Sequence, residues 1–282
     1  MELDGYKIIK KIDSSILFDL WLCEELSSNK KVIAKTIGNI GMSGNNDLQI
    51  RYLIKEYEVT RSFSSKEISP RCYFIETEGS ESLIFELNDY KLLVDVLDDK
   101  LKDYSFTYNV AISISKNLEV IHNHLGAHYN LTPKNILVNN DGTSTLLINY
   151  CVGNEFDKLC NLHYIAPEQT GKLVIQPDIR SDFYSLGLIL FELVTGKRTI
   201  IDLDAKTINR KQITERIESP ERIVNELPTA LSDIIVKLAS KQPINRHQNA
   251  ISLKYDLLKA FDLFHITPKR SFGLGALDYI SN

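Results

Sequence analysis

The change of hydrophobic pattern near residue 88 constrains the fold of this chain more than any other feature of its sequence. Before that point, short β-type runs alternate with turn residues; they are YKIIKKI, FDLWLCEE, KVIAKTI, RCYFIET and SLIFEL. A single run at helical spacing, 47–63, interrupts them. The sequence therefore predicts an α+β protein in which a small β-rich lobe with one helix precedes a larger helical lobe.

The second part of the chain is predicted to be helical apart from one β-type insert. Apolar residues recur at helical spacing over 92–101, 105–124, 183–194, 229–239 and 251–264. The insert, ILVNNDGTSTLLIN, contains Asn140-Asp141-Gly142, which is a strong signal for a hairpin turn. We expect the junction at 86–90 to be a hinge beside a ligand-binding cleft.

Composition and charge exclude several classes of protein. The 282 residues are 43% hydrophobic, which is too apolar for a disordered chain. A formal net charge of -4 gives no general attraction to nucleic acid. The sequence has no apolar run of the roughly 20 residues that span a bilayer, and its four cysteines form no C-x-x-C pair. We therefore expect a cytoplasmic protein that binds neither nucleic acid nor membranes.

Five short motifs, taken at their spacing, carry a resemblance to a known family. The most specific is HYNLTPKNILV at 128–138, which aligns without a gap to the kinase catalytic loop H-R-D-L-x-x-x-N. The others are VIAK at 32–35, INYC at 148–151, APE at 166–168 and SDFYSLG at 181–187. Over 6–264 the chain resembles the eukaryotic-type protein kinases. The phrases HYIAPEQTGK and RSDFYSLGLILFELVTGK most resemble the kinase-like domain at the head of large hybrid sensor histidine kinases.

The resemblance implies a bilobal organisation and protein partners in a signalling pathway. It places the N-lobe at 1–87 and the C-lobe at 88–264. Residues 265–282 leave the helical pattern and contain Pro, Gly and mixed charge, which is typical of a linker or tail. In hybrid sensor kinases a further domain would follow at this point, within a longer protein.

The resemblance also assigns roles to individual residues. Lys35 becomes the third-strand lysine, and Glu56 is the helix glutamate that would pair with it. Ile33 and the gatekeeper Phe85 would border an adenine ring, with Glu86 to Asn88 as the hinge.

Two further roles implied by the resemblance are structural. Glu168 would form a buried ion pair with Arg246, and this pair would tie the activation segment to the C-terminal helices. Asp182 would accept hydrogen bonds from the backbone of the catalytic loop.

Several positions depart from the kinase pattern at the site itself. Asn130 stands where kinases have the catalytic Asp, and an amide is no base at neutral pH. Asn149 replaces the metal-binding Asp of D-F-G. The two metal-ligand positions, Asn135 and Asn149, would therefore both carry neutral amides. The three glycine-loop positions are Asp13, Ser15 and Phe18.

Regulatory positions differ as well. Tyr129 stands where an arginine would bind an activation-loop phosphate, and no Ser or Thr lies between Asn149 and Glu168. Asn161 occupies the position of the threonine that Ser/Thr kinases place against the catalytic Asp.

Three functions remain open from these residues. The first is a pseudokinase, a kinase-fold binding or regulatory module with little or no phosphotransfer. The second is a divergent active Ser/Thr kinase, since Lys35, Glu56 and Asn135 are retained. The third is a switch that binds ATP without turnover. If ATP binds, we expect weak binding that is largely independent of magnesium.

Overall fold

The two-lobe α+β architecture is confirmed by a computed structural model, which describes residues 3–38, 47–77, 80–151, 162–201 and 204–279. The first lobe is an antiparallel sheet with strand order β1-β2-β3-β5-β4. Its strands are β1 (Tyr6–Ser14), β2 (Phe18–Glu25), β3 (Lys31–Ile37), β4 (Cys72–Thr77) and β5 (Ser80–Glu86). The helix α1 (Asp47–Ser64) lies between β3 and β4 in the chain and packs on the sheet.

The second lobe combines a small sheet with helices. Its strands are β6 (Lys91–Leu92), β7 (Ile136–Val138) and β8 (Thr145–Leu147). Its helices are α2 (Tyr104–His124), α3 (Arg180–Thr195), α4 (Ala205–Thr214), α5 (Pro220–Ile223), α6 (Thr229–Leu238) and α7 (Ala250–Ile266). Short 3-10 turns lie at Leu93–Asp95, Pro167–Thr170 and Pro243–Asn245. Within the described residues, no helix combines the length and the apolar character that crossing a membrane requires.

Local chemistry fixes the ends and the packing of these helices. The Asp103 carboxylate accepts a hydrogen bond from the Phe106 backbone N–H at 2.9 Å and caps α2. Asn249 caps α7 in the same way. At Gly187, a Cβ atom would lie 2.8 Å from the Leu238 side chain. The glycine therefore permits the close contact between α3 and α6.

The helix predicted over 92–101 is wrong. Leu92 belongs instead to β6 and pairs with Leu137 of β7, and Leu93 is buried in the 3-10 turn that follows. Pairing with a neighbouring strand overrides the local helical spacing here. The predicted hairpin at 136–149 is present, but β7 and β8 are three residues each and a six-residue loop joins them.

The segment predicted as a linker or tail packs against the helical lobe over its described part. Residues 265 and 266 complete α7, and the chain then folds back on the helical lobe. The Gly275 N–H donates to Asp256 at 2.7 Å, and Asp278 forms an ion pair with Lys237 at 2.9 Å. Phe272 and Leu274 pack against the lobe's core, so these two apolar side chains within a polar segment account for the difference.

One apolar cluster crosses from the first lobe to the second. It joins Leu20, Ile33 and Phe85 of the large sheet to Leu137 and Ile148 of the helical lobe. This cluster sets the position of the two lobes around the candidate site.

Candidate functional site

Lys35 is the centre of the candidate site. β3 places its ammonium against the Glu56 carboxylate of α1, and both side chains are buried. The ammonium also donates to Asn149 Oδ1 at 2.6 Å and lies 4.5 Å from the centroid of the Phe18 ring. Lys35 is therefore held by a carboxylate, an amide and an aromatic face.

Three asparagines form a ring of hydrogen bonds beside Lys35. Asn149 Nδ2 donates to Asn135 Oδ1 at 3.1 Å, and Asn135 Nδ2 donates to the Asn130 carbonyl at 2.8 Å. Asn130 Nδ2 closes the ring by donating to the Asn149 carbonyl at 2.9 Å. Asn149 has a φ of +61°, a conformation that Asn tolerates better than most residues. The structure thus brings together the positions of the base and of both metal ligands.

These residues do not fit a magnesium ion. Magnesium prefers anionic oxygen ligands, whereas this site offers two neutral amide oxygens. Asn149 Oδ1 already accepts a hydrogen bond from the Lys35 ammonium, and Asn135 Oδ1 accepts one from Asn149. Among the residues that the structure describes, no three His, Cys, Asp or Glu side chains cluster as a metal site would require.

The described residues leave little open space on the side of Lys35 that faces Phe18. Ile33, Phe85 and Leu137 are fully buried within the cluster that joins the lobes. Beside Lys35 and Phe18 the remaining cavity is about 20 Å³, which is room for roughly one water molecule. The described side chains therefore leave little room for a ligand directly beside the Lys35 ammonium.

The first glycine-loop position bonds across the lobes. The Asp13 carboxylate accepts a hydrogen bond from Lys134 Nζ at 2.7 Å, where Lys134 belongs to the catalytic-loop motif. Lys10 of β1 makes a second contact of this kind with Asp95 at 2.6 Å. Sequence reasoning missed the role of Lys134, although its position four residues after Asn130 in the same loop was a usable signal.

Glu86 and Asn88 lie in the hinge, as their positions in the sequence imply. The Tyr73 hydroxyl donates to the Glu86 carboxylate at 2.5 Å, and Asn88 is exposed with a φ of +47°. Both side chains therefore lie at the surface side of the hinge.

Asp182 fixes the backbone of the catalytic loop. Its carboxylate accepts hydrogen bonds from the N–H groups of His128 at 2.9 Å and Tyr129 at 2.8 Å. His122 of α2 contacts the same carboxylate through Nε2 at 2.9 Å, a partner that the sequence did not reveal. Tyr129 has a φ of +61°, and these bonds help to hold that conformation.

Glu168 and Arg246 form a bidentate ion pair. The distances are 2.6 Å from Nη1 to Oε1 and 2.9 Å from Nη2 to Oε2, and both side chains are buried. Arg246 also donates to the carbonyls of Arg180, Ser240 and Lys241, while the Ser181 hydroxyl donates to Glu168. The pair is thus fully surrounded by hydrogen-bond partners. Asn161 lies outside the described residues.

His128 is a buried imidazole at the base of the site. Its Nδ1 accepts a hydrogen bond from the Asn130 backbone N–H at 3.2 Å, and its ring centroid lies 4.4 Å from that of Tyr150. Burial lowers its pKa from 6.5 to about 4, although the nearby Asp182 carboxylate acts in the opposite direction. The imidazole is therefore neutral in the folded protein at neutral pH.

We expect His128 to make the fold less stable in acid. Between pH 6.5 and about 4 the unfolded chain binds a proton at this residue that the folded chain does not. The free energy of unfolding should therefore fall as pH falls through this window, by up to roughly 3 kcal/mol for this group.

Denaturant unfolding at several pH values measures that slope. The variant His128→Gln should have a shallower slope than the wild type. Equal slopes for wild type and His128→Gln would show that His128 does not titrate in this way.

The fold and the site define a protein-kinase-type domain. A five-stranded lobe with a buried Lys–Glu pair joins a helical lobe that carries the catalytic-loop motif. The family model described as "Protein kinase domain" matches residues 19–257. This match covers most of the chain, which therefore belongs to the protein kinase domain family.

The chain is similar both to serine/threonine-protein kinases and to a hybrid histidine kinase. A probable serine/threonine-protein kinase of Clostridium perfringens is 28% identical over 76% of this chain and 32% of its own length. Serine/threonine-protein kinase PrkC of Bacillus subtilis is 25% identical over 94% of this chain and 42% of its own. Hybrid signal transduction histidine kinase G of Dictyostelium discoideum is 36% identical over 34% of this chain and 3% of its own. The chain thus spans less than half the length of each.

Proposed function

We propose that this chain is a pseudokinase, a kinase-fold module that binds protein partners in a signalling pathway and has little or no phosphotransfer activity. The observation that carries the proposal is the ring formed by Asn130, Asn135 and Asn149. These amides stand where the family resemblance places the base and the metal ligands. Loss of general-base catalysis alone costs about 10²- to 10⁴-fold in rate.

The contacts made by Phe18 and Asp13 support the same proposal. Phe18 covers the Lys35 ammonium, and Asp13 presents a carboxylate to Lys134 where a phosphate group would otherwise approach. A nucleotide would have to displace these contacts before it could bind. The retained Lys35–Glu56 pair then serves to connect β3 with α1.

A divergent active Ser/Thr kinase is the second candidate. It is favoured by the intact Lys35–Glu56 pair and by the serine/threonine kinases among the relatives. An ATP-binding switch without turnover is the third candidate, and it is also favoured by the intact Lys35–Glu56 pair.

Phosphotransfer from labelled ATP tests the proposal. The full chain is incubated with magnesium or manganese and a generic protein substrate, beside Lys35→Ala and the exposed-lysine control Lys55→Ala. We expect all three proteins to give the same background, because without the base and metal ligands Lys35 has no reaction to support. A reproducible signal that is lost in Lys35→Ala and kept in Lys55→Ala would identify an active kinase.

A further inference from the structure

A groove on the helical lobe lies outside the site described above. It consists of two adjoining cavities of about 190 Å³ and about 310 Å³, which share Arg216, Ile217 and Lys241 as lining residues. Its walls come from α3, from the segment between α4 and α5, and from the residues that follow α6. Together the cavities fall within the usual size of ligand sites, roughly 300 to 1,000 Å³.

Lys241 lies where the two cavities meet. Its ammonium donates to the Tyr184 hydroxyl at 2.6 Å and lies 5.0 Å from the centroid of that ring. Burial and the neighbouring Arg246 lower its pKa to about 8, while Glu215 acts in the opposite direction. Over the described part of the chain, no carboxylate comes within ion-pair distance of this ammonium. A half-buried cation in this state is stabilised by an added anion.

Cationic residues outnumber acidic ones among the residues that line the groove. The first cavity is lined by four cationic and two acidic residues, namely Lys197, Arg198, Arg216, Lys241, Glu215 and Glu218. Arg198 already contacts Glu192 at 3.2 Å. Of the described residues that line the second cavity, the charged ones are Arg216 and Lys241, both cationic. The centre of the groove is therefore positively charged.

Apolar side chains flank this charged centre on both sides. Phe191, Ile200 and Ile223 line the first cavity, and Val236 lines the second. The second cavity also presents the polar side chains of Ser240, Gln242 and Asn245. A free anion would leave the apolar walls uncovered, whereas an extended peptide would cover them and could bond to the polar groups.

We propose that this groove binds an extended segment of a partner protein in which an anionic side chain, a carboxylate or a phosphate, lies between apolar residues. The anionic group would contact Lys241 and Arg216, and the apolar neighbours would enter the two cavities. The inference rests on the proposed function as a binding module and names the chemistry of its partner. Peptide binding in the groove does not depend on whether the site around Lys35 binds a nucleotide.

An array of nonapeptides tests the proposal with the full chain. The central residue is glutamate, phosphoserine, glutamine or leucine, and the flanking positions are either mixed apolar residues or mixed Gly and Ser. We expect the anionic peptides with apolar flanks to retain about tenfold more protein than the glutamine-centred ones. Similar retention by all centres, or equal retention with Gly and Ser flanks, would overturn the proposal.

Three variants locate the binding on the chain. Lys241→Met removes the central charge at similar volume, and Arg216→Gln changes an exposed residue. We expect losses of about tenfold for Lys241→Met and about threefold for Arg216→Gln, with no loss for the exposed control Lys206→Met. Wild-type binding by Arg216→Gln and by folded Lys241→Met would place the peptide elsewhere. Full competition by millimolar inorganic phosphate, whatever the flanks, would reduce the groove to a free-anion site and contradict the proposal. The peptide array measures binding, whereas the proposed function is tested by phosphotransfer. Failure of the groove proposal can therefore be distinguished from failure of the proposed function.

Discussion

Removing either charge of the Glu168–Arg246 pair should lower the free energy of unfolding by about 3 to 5 kcal/mol. Both side chains are almost completely buried, and the pair is bidentate at 2.6 Å and 2.9 Å. Glu168→Gln would leave the Arg246 guanidinium buried without a counter-charge. Arg246→Gln would do the same to the Glu168 carboxylate and would also free the backbone carbonyls that Arg246 now bonds. The cost is mainly that of the uncompensated buried group.

Equilibrium unfolding in denaturant measures this loss. The matched control is Lys10→Gln, which breaks the exposed Lys10–Asp95 pair and should change stability by no more than about 1 kcal/mol. The double variant Glu168→Gln/Arg246→Gln should lose less than the sum of the single variants, because the two groups are coupled. Single variants as stable as Lys10→Gln would show that the activation segment is not anchored by this pair.

The architecture could be predicted because it is encoded locally. The β-type runs at 18–25 and 31–37 and the helical spacing of 47–63 each indicate one element by themselves. The change of pattern near residue 88 gave the order of the lobes, and the resemblance then implied the partners of Lys35, Asp182 and Arg246. Those pairs join residues far apart in sequence, which periodicity alone does not reveal.

Other features depend on contacts that no local pattern contains. Residues 92–101 have helical spacing, but Leu92 pairs with β7. Residues 267–279 are rich in turn residues, and two apolar side chains and the Asp278–Lys237 pair fasten them to the lobe. The sequence shows that Phe18 is not glycine, yet only the structure places its ring over the Lys35 ammonium.

Magnesium should make little difference to ATP binding by this protein. Members of the protein kinase family generally bind ATP with magnesium. A carboxylate near the triphosphate repels it by about 1 to 4 kcal/mol at roughly 4 Å, for effective dielectric constants between about 80 and 20. In this chain the two kinase carboxylate positions are Asn130 and Asn149, so the repulsion from those two groups is absent. Of the amide oxygens that could bind the cation, Asn149 Oδ1 already accepts a hydrogen bond from Lys35, and Asn135 Oδ1 accepts one from Asn149 Nδ2.

The variant Asn149→Asp is the matched comparison for this prediction. It restores one carboxylate at the position where the amide now accepts from Lys35, and the side chain keeps nearly the same volume. We expect this variant, unlike the wild type, to bind ATP more tightly with magnesium than in chelator.

Titration calorimetry with ATP, in magnesium and in chelator, is the most direct test of the proposed loss of magnesium binding. It measures whether the hydrogen-bonded asparagines Asn130, Asn135 and Asn149 still support magnesium-dependent binding of ATP. We expect the wild type either to show no heat of binding in both buffers or to bind with dissociation constants within about threefold of each other, which is about 0.7 kcal/mol. Wild-type binding that requires magnesium would show that Asn135 and Asn149 still form a cation site, which is the opposite result.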